Sequence, residues 1–252
     1  MPEKTAILFR AGSETGAVLA DALAATGYAL ALVDPDPAAT AALAARLTGT
    51  RTLCLAGPAA GSDVEGLVAE IARGLGEPTL LVTCPPDPLV VKSTDLAEAS
   101  LQEAMNEILL RPFAWCRAAG RRMLAQGEGC IVNVLRLSGL GGWPGWLGDS
   151  AAMAAMINLT HTLAAEWTAG GVRTSALVGG ITPAAAGAIA RGAGQQAVLD
   201  RIPLGRLAGP QDLVAGFNYL IDPGSSYVSG EVLRIDGGWD AWGRLHAGGA
   251  RK

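Results

Sequence analysis

Few side chains in this sequence could carry chemistry, and their spacing narrows the choice further. It holds two histidines, four cysteines and three tyrosines. Tyr28, Tyr219 and Tyr227, with Lys4, Lys92 and Lys252, form no Tyr-x-x-x-Lys pair. That spacing would set an ammonium beside a phenol on one helix face. Without such a partner a phenol titrates near 10, too high for acid–base work at neutral pH. Cys54, Cys84, Cys116 and Cys130 make no Cys-x-x-Cys motif, which argues against zinc or redox ligands, and the three in or beside strand-like runs, Cys54, Cys84 and Cys130, read as inert buried thiols in a reducing cytoplasm. What remains is a scatter of charged groups. Arg10 and Glu14 stand in a turn, Asp34 closes an apolar run, and Arg136 and Asp149 lie thirteen residues apart (149 minus 136). His161 follows Asp149 by twelve residues, about three helical turns along one face, and reads as an exposed or interface residue. His246 lies in the C-terminal tail.

Holding such groups takes a frame. Apolar runs at Ala6–Phe9, Ala29–Val33, Thr52–Leu55, Thr79–Thr83, Cys130–Leu135, Arg173–Val178 and Glu231–Ile235 read as strands. Between them, Thr15–Ala25, Ala38–Leu47, Asp63–Leu75, Asp95–Ala125, Ser150–Ala169 and Gln211–Leu220 carry helical patterning. The runs are continuous rather than alternating, as in strands covered on both faces. Strand–helix repetition with short connections predicts an α/β fold: one doubly wound domain over residues 1–252, with a seven-stranded parallel sheet between helices. Ile181–Ile202, rich in Ala, Gly and Gln, reads as irregular, and residues 241–252 read as a frayed tail.

Composition agrees. Half of the 252 residues are hydrophobic and only 17% are charged, enough apolar chain for a large core. A net charge of −4 offers no basic footprint for nucleic acid or an anionic membrane. No apolar stretch is long enough to span a bilayer, and Met-Pro-Glu-Lys leads directly into a strand-like run, so a cytoplasmic location is expected.

Three segments make the pattern specific. Ile202-Pro203-Leu204-Gly205-Arg206-Leu207 precedes the last helix; Ser226-Tyr227-Val228-Ser229-Gly230 and Arg234-Ile235-Asp236-Gly237-Gly238-Trp239 frame the last strand. With Ile131-Val132-Asn133-Val134 and the helix from Ser150 to Glu166, these resemble the short-chain dehydrogenase/reductase family over essentially the whole chain. The resemblance implies a Rossmann-type fold. It also implies a nicotinamide cofactor on a loop of form Thr-Gly-x-x-x-Gly-x-Gly, and a catalytic asparagine, serine, tyrosine and lysine.

At those positions this chain departs. Phe9-Arg10-Ala11-Gly12-Ser13-Glu14-Thr15-Gly16 keeps only the final glycine, with Arg10 and Glu14 in place of the others. A side chain where positive φ is required costs about 1–2 kcal/mol, and a carboxylate near a pyrophosphate is repelled by roughly 1–4 kcal/mol. Thr83-Cys84-Pro85-Pro86 replaces Asn-Asn-Ala-Gly and removes two N–H donors, Ala56 falls near the adenine-contacting aspartate, and Gly179-Gly180 replaces Pro-Gly. Asp34 stands where relatives hold the ribose hydroxyls, although a loop or helix-capping carboxylate explains it equally. The catalytic asparagine, serine, tyrosine and lysine positions fall on Ile108, Arg136, Asp149 and Met153. The expectation is that no residue of this chain is catalytic and no cofactor is bound by it.

The resemblance then implies a hetero-oligomer, a tetramer in which an active sister subunit carries NAD. The contacts would run through helices 95–125 and 150–169 and through residues 211–236, with the tail 241–252 reaching the partner's cleft. Such pairs occur in the family; one acts on 2-(hydroxyphenylmethyl)succinyl-CoA in anaerobic toluene degradation. Trp143, Trp146, Trp239 and Trp242 flank these segments and serve either as interface anchors or as packing within one subunit. Two other readings stand beside this one. One is a small-molecule or nucleotide sensor that keeps Asp34 and Arg10 for binding. The other is a rewired enzyme with Asp149 as base beside Arg136, against which an ion pair filling a vacated site is the plainer account.

Overall fold

The computed structural model describes residues 4–57, 63–189 and 195–241. Seven strands, Lys4–Phe9 (β1), Tyr28–Asp34 (β2), Thr52–Ala56 (β3), Pro78–Thr83 (β4), Gly129–Arg136 (β5), Val172–Gly179 (β6) and Val232–Ile235 (β7), form one sheet. Its order is β3-β2-β1-β4-β5-β6-β7 and every pairing is parallel. The order reverses between β1 and β4, so the chain leaves these neighbouring strands in opposite directions and a crevice opens at their carboxyl ends.

Both faces of the sheet are covered, which is why the strands read as unbroken apolar runs. On one face, Leu19 and Leu23 of Glu14–Ala25 (α1) and Leu213, Phe217 and Leu220 of Asp212–Ile221 (α9) pack on Leu8, Leu32, Val82 and Val132. The other face of β1 turns Ile7 and Phe9 toward Ile71 of Val64–Leu75 (α3) and Trp115 and Met123 of Arg111–Gln126 (α5). The remaining helices are Pro37–Arg46 (α2), Glu98–Met105 (α4), Leu147–Trp167 (α6), Pro183–Ile189 (α7) and Gln195–Leu199 (α8). Local chemistry fixes where they begin. Ser13, Asp36 and Asp63 cap α1, α2 and α3, accepting from the backbone N–H of Gly16, Ala38 and Gly66.

Two expectations are corrected. The helix expected over Asp95–Ala125 runs from Glu98 to Gln126 and contains a π-helical turn, Asn106–Leu110, between α4 and α5. Pro112 causes the break, because it has no N–H to give the carbonyl one α-turn back, and the N–H of Arg111 instead reaches the Asn106 carbonyl. Ile181–Ile202 is not wholly irregular, since α7 and α8 form within it; Ala186 and Val198 are buried and draw the segment onto the core. Arg201 of the same region lies over the ring of Trp239 at 4.1 Å, and Trp239 stacks on Trp143 with centroids 5.5 Å apart. Trp143 also meets the buried Trp146. These three tryptophans therefore pack within the subunit, while Trp242 lies outside the described residues.

The cysteines divide. Cys84, Cys116 and Cys130 are buried, and desolvation pushes their thiols up to about 12, about 12 and about 11. Cys54 is exposed, contrary to its reading as buried, because it stands on the edge strand β3. A thiol reagent at about pH 8 should therefore modify one cysteine of the native protein, Cys54, within minutes, and all four only after unfolding, as mass spectrometry of the labelled chain would read.

Candidate functional site

At the carboxyl ends of β1 and β4 the turn into α1 is the first feature. Arg10 has φ 61°, the one positive value at a non-glycine position among the described residues. The turn thus keeps the left-handed geometry that favours glycine, at a cost of about 1 kcal/mol. Its guanidinium pairs with Glu107, which also accepts from Arg111 at 2.8 Å. Glu14 is exposed in the first turn of α1. Gly16 is buried, and a Cβ there would stand 2.5 Å from the Arg10 carbonyl oxygen and 2.8 Å from that of Ala11, which accounts for the glycine without any ligand.

Asp34 ends β2 and is largely buried. Its carboxylate accepts from the backbone N–H of Gly12 at 2.9 Å and of Asp36 at 2.9 Å, so both oxygens hold the surrounding loops. It does not cap α2, a task that falls to Asp36. Ala56 ends β3.

Across the crevice, β5 ends at Arg136 and α6 begins eleven residues later. The Arg136 guanidinium donates to both oxygens of Asp149, with the Nε contact at 3.3 Å, and its Nη1 donates to the Pro86 carbonyl at 2.6 Å. The Ser138 hydroxyl donates to Asp149 Oδ2. The Asp149 side chain is 0% exposed and that of Arg136 is 20% exposed, so the pair sits where desolvation is costly and each charge depends on the other. Asp149 also occupies the first turn of α6, where the helix dipole favours a carboxylate. Met153, one turn further along α6, is fully buried, and Ile108 in the π-helical turn is nearly so; both belong to a cluster with Leu135, Leu137, Ala152 and Met156. Below the ion pair the site is hydrocarbon.

A cleft of about 340 Å³ remains above it, bordered by Glu14, Pro85, Asp87, Arg136, Gly180 and Thr182. No tyrosine, lysine or histidine lines it among the described residues. Tyr219 and Tyr227 are exposed, Tyr28 begins β2 at the opposite end of the sheet, and His161 lies exposed on α6. His246 lies outside the described residues, among which no group of three or more His, Cys, Asp or Glu is placed to hold a metal. Ser138, Glu107 and the Pro86 carbonyl were not legible as site members. Only Glu107 carried a signal, its i,i+4 spacing to Arg111.

The comparisons agree with this frame. A family model described as enoyl-(acyl carrier protein) reductase matches residues 13–240. The chain belongs to the short-chain dehydrogenase/reductase family. Galactitol 2-dehydrogenase (L-tagatose-forming) of Cereibacter sphaeroides is 32% identical over 92% of this chain and 93% of its own length. Cis-4-hydroxycyclohexanecarboxylate dehydrogenase of Sinomonas cyclohexanicum is 33% identical over 95% and 97%. A crystal structure of a putative NAD(P)-dependent gluconate 5-dehydrogenase from Beutenbergia cavernae superposes with a TM-score of 0.87 at 26% identity, covering 94% of this chain and 97% of that one. In this short-chain dehydrogenase/reductase the Arg136–Asp149 salt bridge and the buried Met153 lie at the base of the crevice. Among the described residues no helix is long and apolar enough to cross a membrane.

Removing one member of the pair leaves a buried charge. Asp149→Ala should lower unfolding free energy by about 3 kcal/mol, whereas the double variant Arg136→Met/Asp149→Leu should recover most of that loss in urea denaturation.

Proposed function

We propose that this chain is the non-catalytic subunit of a hetero-oligomeric NAD-dependent dehydrogenase whose alcohol–ketone chemistry is carried by an active sister subunit. One observation carries the reading. The positions that in the family hold serine, tyrosine, lysine and asparagine hold Arg136, Asp149, Met153 and Ile108, two locked in a mutual ion pair and two buried in hydrocarbon. Acid–base work on a hydroxyl needs a proton-transfer group free to reach it. Asp149 has both oxygens occupied, which speaks against the rewired reading with Asp149 as base.

The cofactor residues support the same reading. A nicotinamide dinucleotide fits this turn poorly: the Glu14 carboxylate lines the cleft at the helix N-terminus, and Arg10 spends its charge on Glu107. Pro85 and Pro86 offer no N–H. NAD is accordingly assigned to the partner. Oxidation of an alcohol is the reaction class we assign to the partner, a reading supported by relatives named as a galactitol 2-dehydrogenase and a cis-4-hydroxycyclohexanecarboxylate dehydrogenase. A hydroxyacyl-CoA ester of the kind met in anaerobic toluene degradation is the narrower version of that proposal. The subunits would join through residues 95–125, 150–169 and 211–236, and the tail 241–252 would reach the partner's cleft.

A second reading, a nucleotide or small-molecule sensor, is favoured by the 340 Å³ cleft that remains open. Calorimetry separates the two. The isolated chain should take up neither NAD nor NADH, and a mixture with a co-expressed family member should bind about one cofactor per two chains and turn over. Cofactor uptake by the isolated chain, with a matching rise in melting temperature, would displace the subunit reading in favour of the sensor.

A further inference from the structure

The Arg136–Asp149 pair is a partition with space on each side. Arg136 borders the cleft at the sheet edge, and Asp149 borders a second cavity of about 220 Å³. This second space lies between the segment after β4, helix α4 and the first turn of α6. Its walls are mostly hydrocarbon, supplied by Pro88, Leu89, Val91, Leu96, Ile108 and Leu147. Leu89 and Leu147 are 56% and 46% exposed, so its edge presents apolar surface to water.

Every ionisable residue in that lining is an acid: Asp87, Glu103, Glu107 and Asp149. Two are neutralised within the fold, Glu107 by Arg10 and Arg111, and Asp149 by Arg136. Asp87 and Glu103 have no hydrogen-bond or ion-pair partner among the described residues. The cavity therefore combines a hydrocarbon wall with two exposed carboxylates that have no partner among the described residues, and its lining holds no cation.

Size and charge together select the occupant. An apolar cavity of about 150 Å³ accommodates benzene, so about 220 Å³ takes a ring with a short chain, or an alkyl chain of similar volume. Uncompensated carboxylates repel an anion and attract a cation, whereas a neutral molecule of the same shape gains only burial. We propose that this chain binds a small apolar primary amine in the cavity behind Asp149, its hydrocarbon against Pro88, Val91, Leu96 and Ile108 and its ammonium toward Asp87 and Glu103. Asp87 and Pro88 line both this cavity and the cleft, so the two spaces adjoin, and Leu96, Ser100 and Glu103 fall within the segment 95–125 proposed above as a subunit contact; the proposal is therefore one about the isolated chain.

Isothermal titration of the full chain with 2-phenylethylamine, 2-phenylethanol and phenylacetate tests it, since the three share a shape and differ in charge. The amine should bind saturably, the alcohol about tenfold more weakly, and the carboxylate not measurably. Glu103→Gln and Asp87→Asn should each weaken the amine about fivefold and leave the alcohol unchanged, because both are exposed charges of modest individual worth. Ser100→Phe, which fills the cavity from α4, should abolish binding of both while the circular dichroism spectrum stays native. Equal binding of all three compounds, absence of amine binding, or amine affinity indifferent to Glu103→Gln would each overturn the proposal. The glutamine variant decides the matter should Ser100→Phe fail to fold.

Discussion

A guanidinium and a carboxylate buried at the end of a parallel sheet cannot be ignored by anything packed near them. Arg136 closes β5, Asp149 opens α6, and the carbonyl of Pro86 comes from the segment after β4; one fork of N–H groups ties these three pieces together. Desolvation makes each charge insist on its partner, so the pair fixes the distance between sheet and helix as firmly as a hydrophobic contact would, and with more directional demand. The proline-rich segment is held by the same fork, which sets the floor of the crevice and separates two cavities.

A second tie joins positions that are far apart in the chain. Arg10, in a left-handed turn of the first crossover, reaches Glu107 in the π-helical turn before Ile108. Charge at each of these positions is answered by charge at another, and Ile108 and Met153 belong to the core.

How much of this could be read from the residues alone depended on how local the cause was. The seven strands were legible because burial on both faces leaves continuous apolar runs, and their observed ends differ by a residue or two. The interruption between α4 and α5 was not, because the apolar stripe runs through it; Pro112 was the available signal and its missing N–H the mechanism. The helices at 183–189 and 195–199 escaped because their apolar contacts, Ala186 and Val198 among them, are made with distant parts of the chain rather than along their own sequence. Asp34 could not be assigned from its position, since the backbone N–H groups of Gly12 and Asp36 that donate to it are brought there only by the fold. Arg136 and Asp149 were placed by family spacing, but Ser138 as a third member required three dimensions.

The stacked indoles carry a consequence of another kind. Trp143 and Trp239 lie with their planes 22° apart and their centroids 5.5 Å apart, and Arg201 covers the outer ring. Two chromophores so close couple their electronic transitions, and a guanidinium over one of them shifts its emission. The segment that includes α8 thereby carries its own optical label. Its docking against the closing turn of the chain becomes visible in near-ultraviolet ellipticity and in fluorescence, with no dye attached and no residue changed.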